Sequence, residues 1–232
     1  MRIQCDLHIH SCLSPCADNE MTPENIVGMS KLNGMQLIAL TDHNSAKNCP
    51  AAAAAASFYD IAFIPGMEVT TSEEIHVVCL FFDLKRAMEF DRIIYDSLAP
   101  IKNRPDIFGE QRLFDPEGKM IGQEPKLLVG ASTFSIMELP ALVKTHHGLC
   151  YPAHIDREAN GLFGVLGGWP PELEMNAAEI KDHLPAGLDE GLKIIRSSDA
   201  HTLLSLPTEG CLLPLREASF NGLLEWIKND LC

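Results

Sequence analysis

A group of acid and histidine side chains opens the chain, in the segment Cys-Asp-Leu-His-Ile-His-Ser at residues 5–11. Leucine and isoleucine alternate there with Asp6, His8 and His10, a period of two that predicts a β-strand with the three polar side chains on one face. Two imidazoles on one face suit a metal ion, because histidine is the commonest metal ligand and both rings can converge on one point. Taken alone, a His-x-His pair is more typical of a half-exposed strand with solvated histidines.

Similar residues recur further along the chain, at or near the predicted C-terminal ends of later strands. They are Asp42, His43, Glu68, His154, Asp199 and His201. His76 is the exception, since it begins its apolar run. Loops at the C-terminal ends of the strands carry the chemistry of α/β barrels. Imidazole and carboxylate ligands suit Zn, Mn or Fe, and their number exceeds what one four-coordinate ion needs, which favours two or three metal ions.

The elements that must position these residues alternate between strand and helix. Short apolar runs predict strands at 5–11, 35–40, 61–64, 75–82, 149–153, 177–180 and 193–195. Capping residues and helical spacing predict helices at 22–34, 51–58, 83–98, 135–147 and 220–228. Glu68 is expected just past the end of the third strand. The alternation favours an α/β fold with a parallel sheet or barrel.

Residues 99–134 interrupt this alternation. The turn residues Asp115-Pro116-Glu117-Gly118 separate two short apolar segments, so a small hairpin is expected at 112–121. The segment is too short for a domain of its own. We therefore interpret 99–134 as an insertion or lid on a single domain that covers residues 1–232.

Composition limits the classes of function. The net charge is −14, which argues against a broad basic surface for nucleic acid, although a bound cation can still create a local anion site. The eight cysteines form no Cys-x-x-Cys pair and are interpreted mostly as buried free thiols of a reducing compartment. No apolar run has the length of a membrane span, so we expect a soluble cytoplasmic protein. The oligomeric state is open.

Five motifs together resemble the PHP (polymerase and histidinol phosphatase) family of metal-dependent phosphoesterases. They are Asp-Leu-His-Ile-His-Ser at 6–11, Thr-Asp-His-Asn at 41–44, Gly-Met-Glu-Val at 66–69, Pro-Ala-His-Ile-Asp at 152–156 and Ser-Asp-Ala-His at 198–201. The motifs follow the order of the family and span nearly the whole chain. The resemblance implies a distorted (β/α)7 barrel with up to three metal ions at its C-terminal face.

The resemblance also implies a set of ligands for each ion. The first ion would be held by His8, His10, Glu68 and Asp199. The second would be held by His43 and His201, and the third by a bridging Glu68 with His76 and His154. Glu68, Asp199 and His201 would be the residues most directly involved in catalysis.

One departure from the family pattern concerns the loop after His10. The family usually carries an Asp or His there, which completes the second site, whereas this chain has Pro15 and Cys16. Cys16 as a thiolate, or Asp18 just beyond it, could substitute. If neither does, the second site lacks a ligand and binds its metal ion weakly.

Other polar residues have alternative roles. Asp42 is expected to orient a liganding histidine rather than to bind metal itself. Arg157 could hold a substrate phosphate through two parallel hydrogen bonds, and a surface salt bridge is an equal alternative. His146 and His147 end a predicted helix, where a cation interacts favourably with the helix dipole.

The function that the resemblance implies is hydrolysis of a phosphate monoester of a small metabolite or nucleotide by metal-activated water. Two alternatives stay open. One is a barrel metallohydrolase acting on C–N bonds, whose usual sign would be a lysine among the ligands at the end of a strand. The other is a metal-binding regulatory module that has lost catalysis.

Overall fold

A computed structural model describes residues 2–189 and 191–228, which form a mixed α/β fold. The strands are β1 (Ile3–Asp6), β2 (Leu37–Leu40), β3 (Ala62–Thr70), β4 (His76–Phe81), β5 (Arg112–Phe114), β6 (Met120–Gln123), β7 (Gly148–Pro152), β8 (Ala177–Glu179), β9 (Lys193–Ile195) and β10 (Cys211–Leu213). The helices are α1 (Pro23–Leu32), α2 (Cys49–Tyr59), α3 (Leu84–Ser97), α4 (Pro105–Phe108), α5 (Leu139–Thr145), α6 (Leu162–Leu166) and α7 (Phe220–Lys228), with a 3₁₀ helix at Leu203–Ser205.

The largest sheet has six strands in the order β10-β1-β2-β3-β4-β7. Strands β1, β2 and β3 are parallel, as the alternation of strand and helix predicts. Strand β4 is antiparallel to β3 and to β7, so the expectation of a parallel sheet is wrong for this strand. The reason is the connection, since residues 71–75 form only a tight turn and a parallel crossover needs a dozen residues or more.

The sheet curls, and hydrogen bonds beyond the strand ends bring its two sides together. The amide of Ile155, just after β7, donates to the carbonyl of Glu179 in β8 at 2.9 Å. Strands β8 and β9 pair in parallel. The chain after β9 then returns to the chain after β1, because the His10 amide donates to the Ala200 carbonyl at 3.0 Å. These links produce a half-barrel whose strand ends converge on one face.

Both faces of the curled sheet are buried in apolar layers. Ile38 and Leu40 of β2 point into a cluster that includes side chains of α1, α2 and α3. Leu37 and Ala39 of the same strand point into a second cluster, which includes Leu223 of α7. The period of two along a strand thus supplies apolar side chains to both faces, as expected for a sheet covered on each side.

Most sequence boundaries agree with the structure, and several differ in informative ways. Strand β1 ends at Asp6, so the histidines follow the strand instead of lying within it. Strand β10, absent from the sequence interpretation, adds an antiparallel edge to β1. The helix expected from residue 135 begins at Leu139. The side chains of Ser135 and Glu138 do hydrogen-bond as a capping pair, but they close a turn before the helix starts.

The segment 99–134 contains the expected hairpin, formed by β5 and β6 with a bulge between Leu113 and Phe114. It packs on the loop after β1, because the Arg112 amide donates to the carbonyl of Cys12 at 2.7 Å. It also contacts the loop after β2, where the Asn44 side-chain amide donates to the carbonyl of Leu128 at 2.6 Å. The segment therefore lies against the face on which the strand ends converge.

The cysteines within the described residues are all free thiols, and most of them are buried. Cys16 is exposed, while Cys232 lies outside the described residues. Within 2–189 and 191–228, no helix combines the length and the apolar character that crossing a bilayer requires.

Candidate metal centre

Glu68 lies at the centre of the converging side chains and is almost fully buried, with 1% of its surface exposed. Five histidine nitrogens lie close to its carboxylate. Those nearest Oε1 are His76 Nδ1 at 3.0 Å, His154 Nε2 at 3.1 Å and His8 Nε2 at 3.3 Å. Those nearest Oε2 are His43 Nδ1 at 2.9 Å and His10 Nε2 at 3.4 Å. One carboxylate therefore connects histidines from four different segments of the chain.

The position of Glu68 within β3 differs from the expectation that it follows the strand. Pro65 and Gly66 do not end the strand, which continues to Thr70. A Cβ atom on Gly66 would come within 2.6 Å of the Cys79 carbonyl, so glycine allows β4 to pair closely at this point. This antiparallel pairing sets His76 beside Thr70. The first residue of β4 thus reaches the face where the parallel strands end. This explains why His76, which begins its apolar segment, lies with residues that follow theirs.

Asp199 and His201 complete the group from the turn after β9. Asp199 Oδ1 lies 3.3 Å from His10 Nε2, 3.5 Å from His8 Nε2 and 3.6 Å from His201 Nδ1. Asp199 has a φ of 51°, an unusual conformation for a residue other than glycine.

Asp6 holds the turn that carries Asp199. The hydroxyl of Ser198 donates to Asp6 Oδ2 at 2.6 Å, and the Ser198 amide donates to Oδ1 at 3.0 Å. The last residue of β1 therefore fixes the backbone next to a candidate ligand from β9.

Three groups within the described residues bring ligand atoms close enough to share an ion. They are His8 with His10 and Glu68, His10 with His43 and His201, and His43 with Glu68 and His76. The first lies within the set implied for the first ion, whereas the second adds His10 to the implied pair of His43 and His201. In the third, His43 joins Glu68 and His76, while His154 contacts the same carboxylate from β7. His43 thus lies between two candidate sites.

The partners and spacing of the buried polar atoms indicate whether these residues suit a metal ion. Glu68 Oε2 and His43 Nδ1 are both buried and, among the described residues, have no partner in hydrogen-bonding geometry, although they lie 2.9 Å apart. The Nε2 atoms of His8 and His10 face each other at 3.0 Å. Two ligands that are each about 2.1 Å from one ion lie ~3.0–3.4 Å apart. The donor set therefore fits metal coordination.

Burial and neighbouring charges set the protonation states of several of these side chains. Burial lowers the pKa of His43 to about 3 and that of His201 to about 4, which keeps both imidazoles neutral. Burial opposes ionisation of Glu68, but His76 and other nearby histidines outweigh it and hold the pKa well below its usual value. Metal ligands must be neutral imidazoles and ionised carboxylates, and these residues meet that condition near neutral pH.

Asp42 contacts the centre indirectly, through the side chain of Ser14. Its carboxylate accepts hydrogen bonds from the Ser14 hydroxyl at 2.7 Å and from the amide of Ser11 at 2.7 Å. The Ser14 oxygen in turn lies 2.9 Å from His10 Nδ1 and accepts from the His43 amide at 3.1 Å. This network orients His10, which is the role expected for Asp42, although the contact passes through Ser14.

The two candidate ligands in the loop after β1 lie outside the three groups of ligand atoms. Neither the Cys16 sulfur nor a carboxylate oxygen of Asp18 belongs to the three groups. The loop nevertheless lies beside the centre, because the Asp18 amide donates to the carbonyl of His201 at 2.9 Å.

Arg157 lies at the rim of the centre. One of its guanidinium nitrogens is 2.8 Å from Asp199 Oδ2, and 43% of its side chain is exposed. The salt-bridge alternative is thus observed, although the partner is a candidate ligand, and contact with a substrate phosphate stays a prediction.

The sequence interpretation missed Glu179, which contacts His8 and is almost fully buried. The sequence contained the pattern that identifies it, because Glu179 is an acid at the end of the apolar strand β8. The other candidate residues were identified by the same criterion. Lys181 was also overlooked. It follows β8, and its ammonium donates to the carbonyl of Ser198. A lysine therefore does lie beside the centre, contrary to the sequence interpretation, but it bonds to backbone.

His146 and His147 lie away from these groups. His146 ends α5, and its Nδ1 lies 3.0 Å from the Leu142 carbonyl. Its ring also contacts Phe90, with the ring centres 5.6 Å apart. His146 therefore has a local structural role, as its position in the sequence indicates.

Residues 6–148 match the family model of the PHP domain, and the chain belongs to this family. Among curated proteins, a 3',5'-nucleoside bisphosphate phosphatase of Chromobacterium violaceum is 37% identical over 81 residues, which are 34% of this chain and 27% of that protein. A 5'-3' exoribonuclease of Haemophilus influenzae is 36% identical over 81 residues, which are 34% of this chain and 28% of that protein. The matched segment thus spans little more than a quarter of either relative. The names of both relatives are consistent with a metal-dependent phosphoesterase.

Solved structures show the same fold at low sequence identity. The lesion-specific endonuclease Q of Pyrococcus furiosus superposes with a TM-score of 0.71 at 19% identity, covering 98% of this chain and 56% of that one. A metal-dependent phosphoesterase of Bifidobacterium adolescentis superposes with a TM-score of 0.62 at 15% identity, covering 99% of this chain and 98% of that one. Because two of these proteins are named as nucleases, the prediction from net charge that the chain has no broad surface for nucleic acid is not supported.

Proposed function

We propose that this chain is a metal-dependent phosphoesterase that hydrolyses a phosphate monoester of a small metabolite or nucleotide with water as the nucleophile. The observation that carries the proposal is the buried carboxylate of Glu68, which lies within 3.4 Å of five histidine nitrogens. Such a convergence of buried imidazole and carboxylate groups is costly in a core unless positive charge, from protons or from metal ions, holds it together. The family and the names of its relatives support the type of reaction.

The proposed centre holds two to three divalent ions of Zn, Mn or Fe. The proposed ligands are His8, His10, His43, Glu68, His76, His154, Asp199 and His201. Ions bound there would polarise the phosphoryl oxygens and lower the pKa of a coordinated water to about 7. Cys16 and Asp18 stay candidates for an additional ligand from the loop after β1.

Individual side chains have different proposed roles in the centre. Glu68 supplies two carboxylate oxygens to different histidine groups, which makes it the proposed bridge between ions. Asp199 and His201 hold the opposite side of the centre on a turn that Asp6 fixes. Arg157, which is partly exposed and adjacent to Asp199, would hold a phosphate oxygen through its free N–H groups.

We further propose that the chain forms a single domain, a seven-stranded barrel of the PHP type with an insertion at 99–134. The hydrogen bonds from Ile155 to Glu179 and from His10 to Ala200 support a closed ring of β1, β2, β3, β4, β7, β8 and β9. The solved phosphoesterase that this chain covers almost completely supports the single domain. The insertion packs beside the centre, where it would limit the size of the substrate.

Cleavage of a nucleic acid is the second candidate. The observation in its favour is the relative named as an exoribonuclease, whose identity of 36% nearly equals that of the phosphatase. The net charge of −14 favours a small substrate, because an overall negative charge disfavours association with a long polyanion. Hydrolysis of C–N bonds is a weaker alternative, since Lys181, the lysine beside the centre, donates to the Ser198 carbonyl instead of joining the histidines and carboxylates. A regulatory role without catalysis is a further alternative.

The test compares substrates under defined metal conditions. The protein is assayed with an aryl phosphate, a nucleoside 3',5'-bisphosphate, a short single-stranded RNA and a cyclic amide, each with added Mn or Zn and each after chelation. We expect metal-dependent release of phosphate from the small esters. Faster turnover of RNA would replace the first proposal with the second. Turnover of the amide alone, or none in any metal, would overturn the proposal of a phosphoesterase.

A further inference from the structure

We infer that Glu179 is a positioning residue that holds two histidines of the proposed metal centre, one through its ring and one through its backbone. The inference rests on the proposed function, because it concerns the metal centre described there. Glu179 lies in β8, outside the residues that match the family model, and 1% of its surface is exposed. An ionised carboxylate in such a place is unfavourable unless it is hydrogen-bonded, so its partners indicate its role.

The first partner is the ring of His8. Its Nδ1 atom lies 3.0 Å from Glu179 Oε1 and 3.1 Å from Oε2, so both carboxylate oxygens face one nitrogen. A carboxylate only accepts hydrogen bonds, and the ring proton must therefore lie on Nδ1. The lone pair of the neutral ring is then on Nε2, the atom that faces Glu68 at 3.3 Å and His10 at 3.0 Å. Glu179 thus selects the form of His8 that can bind metal.

The second partner is the backbone of His154. Its amide donates to Glu179 Oε1 at 3.2 Å, and the next amide, that of Ile155, donates to the Glu179 carbonyl at 2.9 Å. His154 has a φ of 29°, which a residue with a side chain adopts only when its surroundings hold it. Its ring reaches Glu68 Oε1 at 3.1 Å. Glu179 therefore fixes the turn from which His154 approaches the centre.

The two supported rings lie side by side. The rings of His8 and His154 are nearly parallel, with their centres 5.9 Å apart and an angle of 23° between them. Both present Nε2 to the same oxygen of Glu68. A single buried carboxylate on β8 thereby aligns one ligand after β1 with one after β7. Carboxylates that accept from a liganding histidine typically change metal affinity by about 10- to 100-fold when they are removed.

The test is a Glu179→Gln substitution, which keeps the size of the side chain. The neutral amide is a weaker acceptor for the His8 Nδ1 proton than the carboxylate, and its NH2 group can donate to Nδ1 instead, which would place the ring proton on Nε2 and block that nitrogen as a ligand. We expect Zn affinity, measured by competition with a chromophoric chelator, to fall by about 10- to 100-fold. In the ¹⁵N spectrum of the Zn-loaded wild-type protein we expect the His8 proton on Nδ1, and in the variant we expect that signal to be lost or shifted.

Glu124→Gln is the matched control. Glu124 is also a buried glutamate, but it pairs with Lys47 and accepts from the Tyr95 hydroxyl at 2.9 Å, away from the metal groups. We expect this variant to lower thermal stability and to keep the wild-type Zn affinity. Glu179→Asp, which keeps the charge, should recover part of the lost affinity.

The outcomes separate this inference from the proposed function. Wild-type Zn affinity and an unchanged His8 signal in Glu179→Gln would overturn the role of Glu179 alone. A wild-type protein that binds no Zn, Mn or Fe would overturn the metal centre and this inference together. Weakened Zn binding in Glu179→Gln supports the inference even if every phosphate ester proves not to be a substrate.

Discussion

At the scale of single residues, the chemistry of the centre depends on buried charges that neutralise one another. Glu68 and Asp199 carry negative charge into a core that would otherwise exclude it, and the surrounding histidines hold the pKa values of both carboxyls well below normal. Neither type of residue is stable there without the other. Changes to a single member are therefore expected to weaken metal binding and to lower the stability of the fold together.

Glu68→Gln should abolish activity and metal binding together. A neutral amide is a poor ligand for hard cations, and this position serves two histidine groups at once, so we expect turnover to fall by more than about 100-fold. Activity and bound metal measured on the same preparation test this, with circular dichroism to show that the variant is folded. His146→Ala is the control, since that ring contacts Phe90 outside the centre. Near-normal turnover in a folded Glu68→Gln protein would exclude a bridging role.

Substitutions in the loop after β1 should decide whether it provides a ligand. Because the Cys16 sulfur and the Asp18 carboxylate lie outside the three ligand groups, we expect Cys16→Ser and Asp18→Asn each to leave the bound metal unchanged. Elemental analysis of both variants after gel filtration is the measurement. Loss of one ion in Cys16→Ser would make the thiolate a ligand, and the same loss in Asp18→Asn would assign that role to the carboxylate.

At the scale of elements, the direction of the strands determines which residues meet. Parallel strands β1, β2 and β3 bring their C-terminal ends to one face, and the antiparallel β4 brings its first residue, His76, to the same face. The insertion 99–134 then covers part of that face. Close contacts between backbone segments hold it in place.

Gly109→Ala should weaken this packing. Gly109 has a φ of 103°, and a Cβ atom there would lie 2.1 Å from the Pro15 carbonyl oxygen. We expect the free energy of unfolding to fall by about 1–3 kcal/mol, because both the conformation and the contact exclude a side chain. Urea denaturation measures the change. Gly130→Ala in the same insertion is the control, since its Cβ would meet open space, and an equal loss there would contradict the explanation.

At the scale of the whole molecule, the centre joins segments that are far apart in sequence. His8 and His10 follow the first strand, and Asp199 and His201 come almost 200 residues later. Metal ions bound there would connect the two ends of the curled sheet. Metal binding and the stability of the entire chain should therefore be coupled.

The metal content of the purified protein should exceed one ion per chain. The three ligand groups share His10, His43 and Glu68, yet together they provide more donors than one ion can use. Elemental analysis of protein prepared without chelators gives the stoichiometry. A fully active preparation with a single ion would contradict a multinuclear centre.

The metal-free protein should be most stable near neutral pH. Burial lowers the pKa of His43 to about 3, below its ordinary value of 6.5, so this buried neutral ring loses stability as the pH falls below 6.5. Burial alone would also lower the pKa of His10, but the hydrogen bonds that its protonated ring donates to Asp199 and Glu68 outweigh it and raise the pKa to about 9. The stability that His10 contributes is complete below pH 6.5 and is lost as the pH rises to about 9.

Thermal melting in the presence of a chelator between pH 4 and pH 10 should show this maximum (roughly the span of these titrations). Bound Zn should reverse the loss at alkaline pH, because metal competes with protons for the same histidines. His10→Ala should flatten the alkaline decline. A melting temperature that rises steadily from neutral to alkaline pH without metal would contradict the assigned ion pairs.

The sequence by itself determined the candidate ligands and much of the element order. Strands and helices are short-range features, set by periodicity and capping, so α3 and α7 lie where their patterns indicate. The five motifs identified the family because their residue types and order are written in the chain. Glu179 satisfied the same criterion as the other acids, and attention to every acid at a strand end would have found it.

Only the tertiary structure decided how these residues meet. The direction of β4 depends on pairing with β3 and β7, which no local pattern encodes, and it alone explains how His76 reaches Glu68. The indirect contact of Asp42 with His10 depends on where the Ser14 loop folds. Sequence patterns report which side chains share a face of one element. The distances between elements follow from packing the whole chain, because each element is held by partners that are remote in sequence.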